Sequence, residues 1–246
     1  MSERGHGGGR PRETLHRDPP NSVAHLGSVA VCTFDCYGTL IDWRAGIEEC
    51  LGRALRLQGY AGTQPVFPVY EDSEKTAEHR YAPYRQVLTS AAVDAAAKLG
   101  VNLSAAAARE FADSLPTWTA FSDTAEALRE LGRRGVQRYI LSNVDRDLLQ
   151  ETIRRNRLEV DGVVTADDVR SYKPALAHWL RFFEDHPVDR AEILHVAQSI
   201  FHDIVPASRL GLRTVWVNRY GGPLPTDVRP TYVTRDLHEL LTVIGA

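Results

Sequence analysis

The sequence predicts an α/β fold: a parallel sheet with helices on both faces, and a block of helices inserted after the first strand. Three observations predict it. After Pro116, short apolar runs rich in β-branched residues alternate with helix-length amphipathic stretches, the mark of βαβ units and of a parallel sheet covered on both sides. Between Asp35 and Pro116 there is no convincing strand, and apolar residues recur at helical spacing. Polar residues also stand where four apolar runs stop: Asp35, Ser142-Asn143, the Lys173 loop and Gln198 to Asp203. In an open parallel sheet, such carboxyl-terminal strand ends face the ligand crevice, so the expected core is Rossmann-like.

The elements follow in order. Residues 1–27, rich in Gly, Arg, Pro and His without periodicity, predict a flexible tail. Residues 28–43 and 116–246 make the predicted core, and residues 44–115 the helical insertion. The core opens on Val29 to Ile41, whose apolar start reads as a buried strand delivering Asp35 to its tip. Gly38 then permits a sharp turn. Ala45 to Leu57 carries Ile47, Leu51 and Leu55 on one helical face, and Gly59 to Pro68 reads as a loop. A helical section from Val69 to Lys98 is broken near Pro83, and Ser104 caps a further helix to Leu115. Next come a helix from Asp123 to Arg134, a strand from Val136 to Ser142 and a helix from Leu148 to Asn156. A strand from Val160 to Thr165 and a helix from Ala175 to Glu184 follow. The remaining strands are Ile193 to Ala197, Thr214 to Asn218 and Tyr232-Val233, with helices at Ile204 to Leu210 and Leu237 to Val243.

Composition narrows the function classes. A chain of 246 residues suits one α/β domain with an insertion, or two modest domains. At 43% hydrophobic and 25% charged residues it reads as an ordinary globular protein. A formal net charge of -3 gives no reason to expect nucleic acid or an anionic membrane as partner. No apolar run approaches the roughly 20 residues of a membrane span, and the first residues lack the apolar segment of a secretory signal. Cys32, Cys36 and Cys50 have no zinc-like spacing and are too few for a disulfide framework, which fits a reduced, cytoplasmic compartment.

Each polar strand end has an ordinary explanation by itself. Asp35 and Gly38 are common turn residues, Ser142-Asn143 would cap the next helix, Lys173 would be a solvated lysine, and Asp203 would sit near a helix start. Their shared place at strand ends argues for one crevice holding a carboxylate nucleophile.

The set Phe34-Asp35-Cys36-Tyr37-Gly38-Thr39-Leu40, Leu141-Ser142-Asn143, Tyr172-Lys173-Pro174 and His195 to Asp203 resembles the four motifs of haloacid dehalogenase-like hydrolases, in order. The helical insertion resembles that superfamily's cap domain, and a homodimer through the cap is a family-level expectation. Phosphatases of the superfamily carry a second aspartate two positions after the nucleophile and further acids in the fourth motif for Mg²⁺. Here those places hold Tyr37 and Gln198. Tyr37 resembles the L-2-haloacid dehalogenase branch, which needs no cofactor; Mg²⁺ belongs only to the phosphatase alternative. A non-catalytic member of the fold is the third reading.

The resemblance implies the following roles. Asp35 attacks carbon and expels halide, Lys173 keeps it ionised, and Thr39 and Ser142 orient it or bind the carboxylate of a small-molecule substrate. Asn143 helps hold the halide, while Asp203 orients Lys173 and helps activate the hydrolytic water. A cap arginine for the substrate carboxylate is expected from Arg85 or Arg80, ranked above Arg44. Trp43, Tyr84, Trp118 and Trp179 are candidates for an apolar wall, each with core packing as its plainer role. The sequence departs from the branch at Gln198 and Ile200, where Ser and Asn are expected, and at Trp179, where an aromatic hydroxyl is expected.

Overall fold

A computed structural model describes residues 28–244; the tail expected over residues 1–27 lies outside them. The core is one six-stranded sheet, β1 (Val31–Phe34), β2 (Gln137–Ser142), β3 (Gly162–Thr165), β4 (Ile193–Ala197), β5 (Arg213–Val217) and β6 (Tyr232–Thr234), in the order β3-β2-β1-β4-β5-β6. All neighbouring pairs are parallel, with Phe34 beside Ile140 on one side and Val196 on the other. β1 is therefore central, and its tip lies between the tips of β2 and β4.

Side chains alternate across the sheet. Cys32, Phe34, Ile140, Leu194 and Val196 enter one buried cluster, and Val31, Tyr139, Leu141 and Ile193 enter another on the opposite face. The strands read as continuous apolar runs because both faces are covered.

Between β1 and β2 lie α1 (Trp43–Leu57), α2 (Val66–Ala77), α3 (Tyr84–Lys98), α4 (Ala105–Ser114) and α5 (Thr124–Arg133). The first four form a helical layer whose Leu51, Tyr70, Leu88 and Phe111 share one buried cluster with Phe34 and Leu40. The section expected as Val69 to Lys98 is two helices, separated before Pro83. The loop expected through Pro68 ends earlier, because α2 starts at Val66. Its first free N–H groups, on Val66 and Phe67, donate to the Glu48 carboxylate of α1 at 3.2 and 2.8 Å. Pro68 falls in the first turn, where no intrahelical acceptor is lost. Ser104 caps α4 as expected, its hydroxyl accepting from the Ala107 N–H at 3.2 Å.

The other helices are α6 (Arg146–Asn156), α7 (Ala166–Val169), α8 (Ala177–Asp185), α9 (Val205–Arg209) and α10 (Leu237–Ile244). A wide helical turn at Ile200–Ile204 precedes α9, which starts beside Pro206 within the short helix expected over Ile204 to Leu210. Among the described residues, no helix is long and apolar enough to cross a membrane.

Candidate active site

The tips of β1, β2 and β4 and the loop before α8 deliver their polar residues to one cavity of about 320 Å³, roofed by α2 and the start of α3. Asp35 leaves β1 and stays buried. The turn after it depends on Gly38, which has φ +96°, where L side chains are strained. That turn returns the Thr39 hydroxyl to Asp35, donating to Oδ2 at 2.8 Å while accepting from the Gln198 N–H at 2.9 Å. The Lys173 ammonium donates to Asp35 Oδ1 at 2.9 Å, Asp203 Oδ1 at 2.6 Å and the Leu141 carbonyl at 2.9 Å. Asp203 Oδ1 also meets His195 Nε2 at 3.2 Å, and His195 Nδ1 lies 2.8 Å from the Thr33 hydroxyl. Asp203 Oδ2 is buried without a partner among the described residues.

One ammonium thus serves two carboxylates. Lys173 is held protonated above its ordinary range by Asp203 and Asp35, whose charges outweigh its burial. Asp203 is lowered to about 2, since Lys173 and His195 together outweigh burial. Asp35 goes the other way: burial pushes its carboxyl up, Lys173 and Thr39 oppose this in part, and the Asp203 charge adds to the rise. Because ionised Asp203 only accepts, the His195 ring donates from Nε2 and, when neutral, accepts the Thr33 proton at Nδ1.

Asp35, Tyr37, Ser142, Asn143, Lys173, Gln198 and Asp203 all line the cavity, and Thr39 stands directly behind Asp35. Two of them are also engaged with protein groups. The Asn143 amide brackets the main chain of Lys173, accepting its N–H at 2.7 Å and donating to its carbonyl at 3.2 Å, so it is a positioning residue for the lysine. The Tyr37 hydroxyl pairs with Thr152 on α6 at 2.7 Å, and its ring stands edge-on to Trp118.

None of the three candidate arginines, Arg85, Arg80 and Arg44, lines the cavity. Arg85 donates to Asp113 and Asp147 at 2.7 and 2.6 Å and lines a separate groove with Arg109. The cause is the phase of α3. Asp145 accepts from the Tyr84 and Arg85 N–H groups at 2.7 and 3.0 Å; this turns Tyr84 to the cavity, and the next residue then points elsewhere on the helix. Arg80 is exposed and does not line the cavity. Arg44 stacks over Phe67 and Tyr220, 4.8 and 4.7 Å from the ring centres. Trp43 and Tyr84 do line the cavity, whereas Trp179 packs edge-on to His195 and Trp118 lies against Phe111.

Sequence reasoning missed the roof. Glu71, Glu74, Lys75 and Glu78 line the cavity from α2 and its cap. Their spacing puts them on one helical face, which was the available signal. Burial and the Glu78 charge push the Glu74 carboxyl up to about 8. His202, on the turn before α9, lies 3.5 Å from Glu78.

A Mg²⁺ ion fits this donor set poorly. Lys173 occupies the position between the two core carboxylates, and an amide stands at Gln198. Among the described residues, no three His, Cys, Asp or Glu side chains cluster as metal ligands. Asp203 Oδ2 is the one oxygen of the two core carboxylates without a partner among the described residues, so most of the octahedral shell of a Mg²⁺ ion would have to come from water.

A strand-tip carboxylate is paired with a loop lysine on a parallel sheet roofed by inserted helices, an α/β architecture found in hydrolases. The haloacid dehalogenase-like hydrolase family model matches residues 29–211, and the chain belongs to that family. It is similar to the (S)-2-haloacid dehalogenase of Pseudomonas putida, at 24% identity over 84% of this chain and 92% of the relative. That of Pseudomonas sp. (strain YL) is 27% identical over 76% of this chain and 82% of the relative. The solved L-2-haloacid dehalogenase RSc1362 superposes with a TM-score of 0.78 at 27% identity, covering 89% of this chain and 100% of that one.

Proposed function

We propose that this protein is a hydrolytic dehalogenase acting on short 2-haloalkanoic acids through an aspartyl ester, without a divalent ion. The observation that carries the reading is the Lys173 ammonium shared between Asp35 and Asp203, beside a Tyr37 hydroxyl already committed to Thr152. The nucleophile has its counter-charge, and the position that would protonate a poor leaving group is engaged elsewhere. Halide needs no proton. The names of the relatives point the same way.

In this mechanism an Asp35 oxygen forms a bond to C2 as the carbon–halogen bond breaks, and the halide leaves with the electron pair. Ser142 is the hydroxyl donor for the substrate carboxylate. Water then attacks the carbonyl carbon of the ester, the acyl C–O bond breaks, one water proton passes to the departing alkoxide and the other to solvent, and the 2-hydroxy acid leaves with its new oxygen while Asp35 returns to a carboxylate. Asp203, at a pKa of about 2, is a weak base. It orients the water through Oδ2 and keeps Lys173 in place. The homodimer through the helical layer remains part of this proposal, as does reading that layer as a cap.

Halide release from 2-chloropropionate, run beside p-nitrophenyl phosphate hydrolysis with and without Mg²⁺, tests the reading. The expected result is halide release that survives chelator and vanishes in Asp35→Asn. Mg²⁺-dependent phosphatase turnover without halide release would overturn it. A single turnover in ¹⁸O-water should place the label on Asp35 and leave the first product unlabelled.

A further inference from the structure

The second half of the reaction needs something the first does not. Halide leaves without a proton, whereas hydrolysis of the Asp35 ester expels an alkoxide. The attacking water must give up a proton and the departing oxygen must receive one. The groups nearest Asp35 are unsuited to carry it. Lys173 is held protonated, and its N–H bonds are spent on Asp35, Asp203 and the Leu141 carbonyl. Asp203, lowered to about 2, is too weak a base. The Tyr37 hydroxyl is paired with Thr152. Glu74, pushed up to about 8, keeps its own proton at neutral pH and cannot take another.

The same cavity is lined by a serine, a histidine and a glutamate that stand in a row. Ser199 caps the wide turn after β4, its oxygen accepting the His202 N–H at 3.1 Å. That bond leaves the hydroxyl proton free, and His202 Nδ1 lies 3.2 Å from the same oxygen. Across the ring, Nε2 lies 3.5 Å from a Glu78 carboxylate oxygen. With the neutral ring protonated on Nε2, Nδ1 accepts from Ser199 while a carboxylate faces the opposite edge. A hydroxyl, a base and an acid that orients the base are the parts of a general-base system. The row begins close to the nucleophile in the chain and in space. Ser199 follows Gln198, whose N–H donates to the Thr39 hydroxyl that bonds Asp35, and His202 precedes Asp203.

We propose that Ser199, His202 and Glu78 form a proton relay for hydrolysis of the Asp35 ester. Ser199 Oγ takes a proton from the attacking water as its own passes to His202 Nδ1, and the imidazolium faces Glu78. As the acyl C–O bond breaks, that proton returns through Ser199 to the departing alkoxide. Asp35 is released as the acid and loses the second water proton to solvent. The relay rests on the dehalogenase reading for the identity of the ester.

Rapid-quench kinetics with the full chain and 2-chloropropionate, read as halide released and as intact protein mass, test it. In His202→Gln the first halide per protein should appear near the wild-type rate, and steady-state release should then fall about a hundredfold. The ester should accumulate as added mass on Asp35. Ser199→Ala should show the same burst and stall. In His202→Ala, added imidazole should restore part of the steady-state rate and leave the first turnover unchanged. The burst itself reports a folded site, so a misfolded variant is not mistaken for a stalled one. Unchanged steady-state release in His202→Gln overturns the relay. So does a loss shared equally by the first turnover and the steady state with no imidazole rescue, which marks a purely structural turn. Wild-type protein that releases no halide but hydrolyses p-nitrophenyl phosphate overturns the dehalogenase reading instead. A nitrophenol burst and stall in His202→Gln would then support the relay on a phosphoryl intermediate, and its absence would overturn the relay too.

Discussion

At the residue scale the site is a carboxylate–ammonium–carboxylate chain, Asp35–Lys173–Asp203, almost sealed from solvent. Removing the middle charge leaves two buried like charges facing each other, which raises the higher of the two pKa values further. Lys173→Met should therefore lower kcat by about a hundredfold or more, and should move the acid limb of the surviving pH–rate profile upward. Asn143→Ala, which frees the lysine main chain without touching its charge, should cost less and leave that limb where it is; a pH series on both variants checks the contrast. In the wild type, burial has already pushed Asp35 up. Activity should accordingly fall on acidification at a pH above the ordinary aspartate value of about 3.9. Asp35 was legible in the sequence because it ends an apolar run, and Lys173 and Asp203 because they follow the later apolar strands in order. The arginines were not. Which way Arg85 points is decided by Asp145, which follows another strand and is brought to α3 only by the fold. The acidic roof was written at helical spacing, yet an acidic face on a helix is indistinguishable from a solvated one until something is known to lie beneath it.

At the element scale, the loop that returns Thr39 to Asp35 is fastened from the far side of the sheet. Arg219, just after β5, donates Nε and Nη2 to the Thr39 carbonyl at 2.9 and 2.7 Å, and grips Asp123 at 3.0 and 3.1 Å. Asp123 also accepts the Leu237 N–H at 2.7 Å, so one carboxylate ties the start of α5, the start of α10 and the nucleophile loop together. The pair is nearly buried, at 6% and 5% side-chain exposure. Breaking such a pair from one side strands a charge, at a cost of about 3–5 kcal/mol. Arg219→Met should destabilise by that order in urea unfolding. Arg219→Lys should recover only part of the loss, because a point charge cannot satisfy the carbonyl and the carboxylate in a fork. The strands and most helices were readable from periodicity alone. The start of α2 was not: Phe67-Pro68 looks like loop, and only Glu48, a full helix earlier, supplies the caps that let a helix begin there.

At the scale of the whole molecule, two buried titratable groups pull stability in opposite directions with pH, and they sit on opposite sides of the active site. His178 of α8 is lowered to about 4, chiefly by burial and secondly by the Lys173 charge. Below its ordinary value of 6.5 the unfolded chain takes up a proton that the folded one refuses, so its contribution to stability is lost as pH falls from 6.5 toward 4. Glu74 in the roof is raised from 4.5 to about 8 by burial and then by Glu78. Between those values the folded chain keeps a proton that the unfolded one has released, so stability is lost as pH rises through that window. Over mildly acid pH the two slopes oppose each other. Above 6.5 the His178 contribution no longer changes with pH, and Glu74 is left to lower stability by about 2 kcal/mol as pH reaches 8. Thermal unfolding of the wild type should thus be level through the mildly acid range and shift to lower temperature from neutral to pH 8. In Glu74→Gln, which keeps an acceptor for the Tyr70 and Tyr84 hydroxyls and carries no proton to lose, the alkaline decline should flatten while the acid limb from His178 remains. An alkaline decline of unchanged slope in that variant would mean that Glu74 is already ionised in the folded protein at neutral pH.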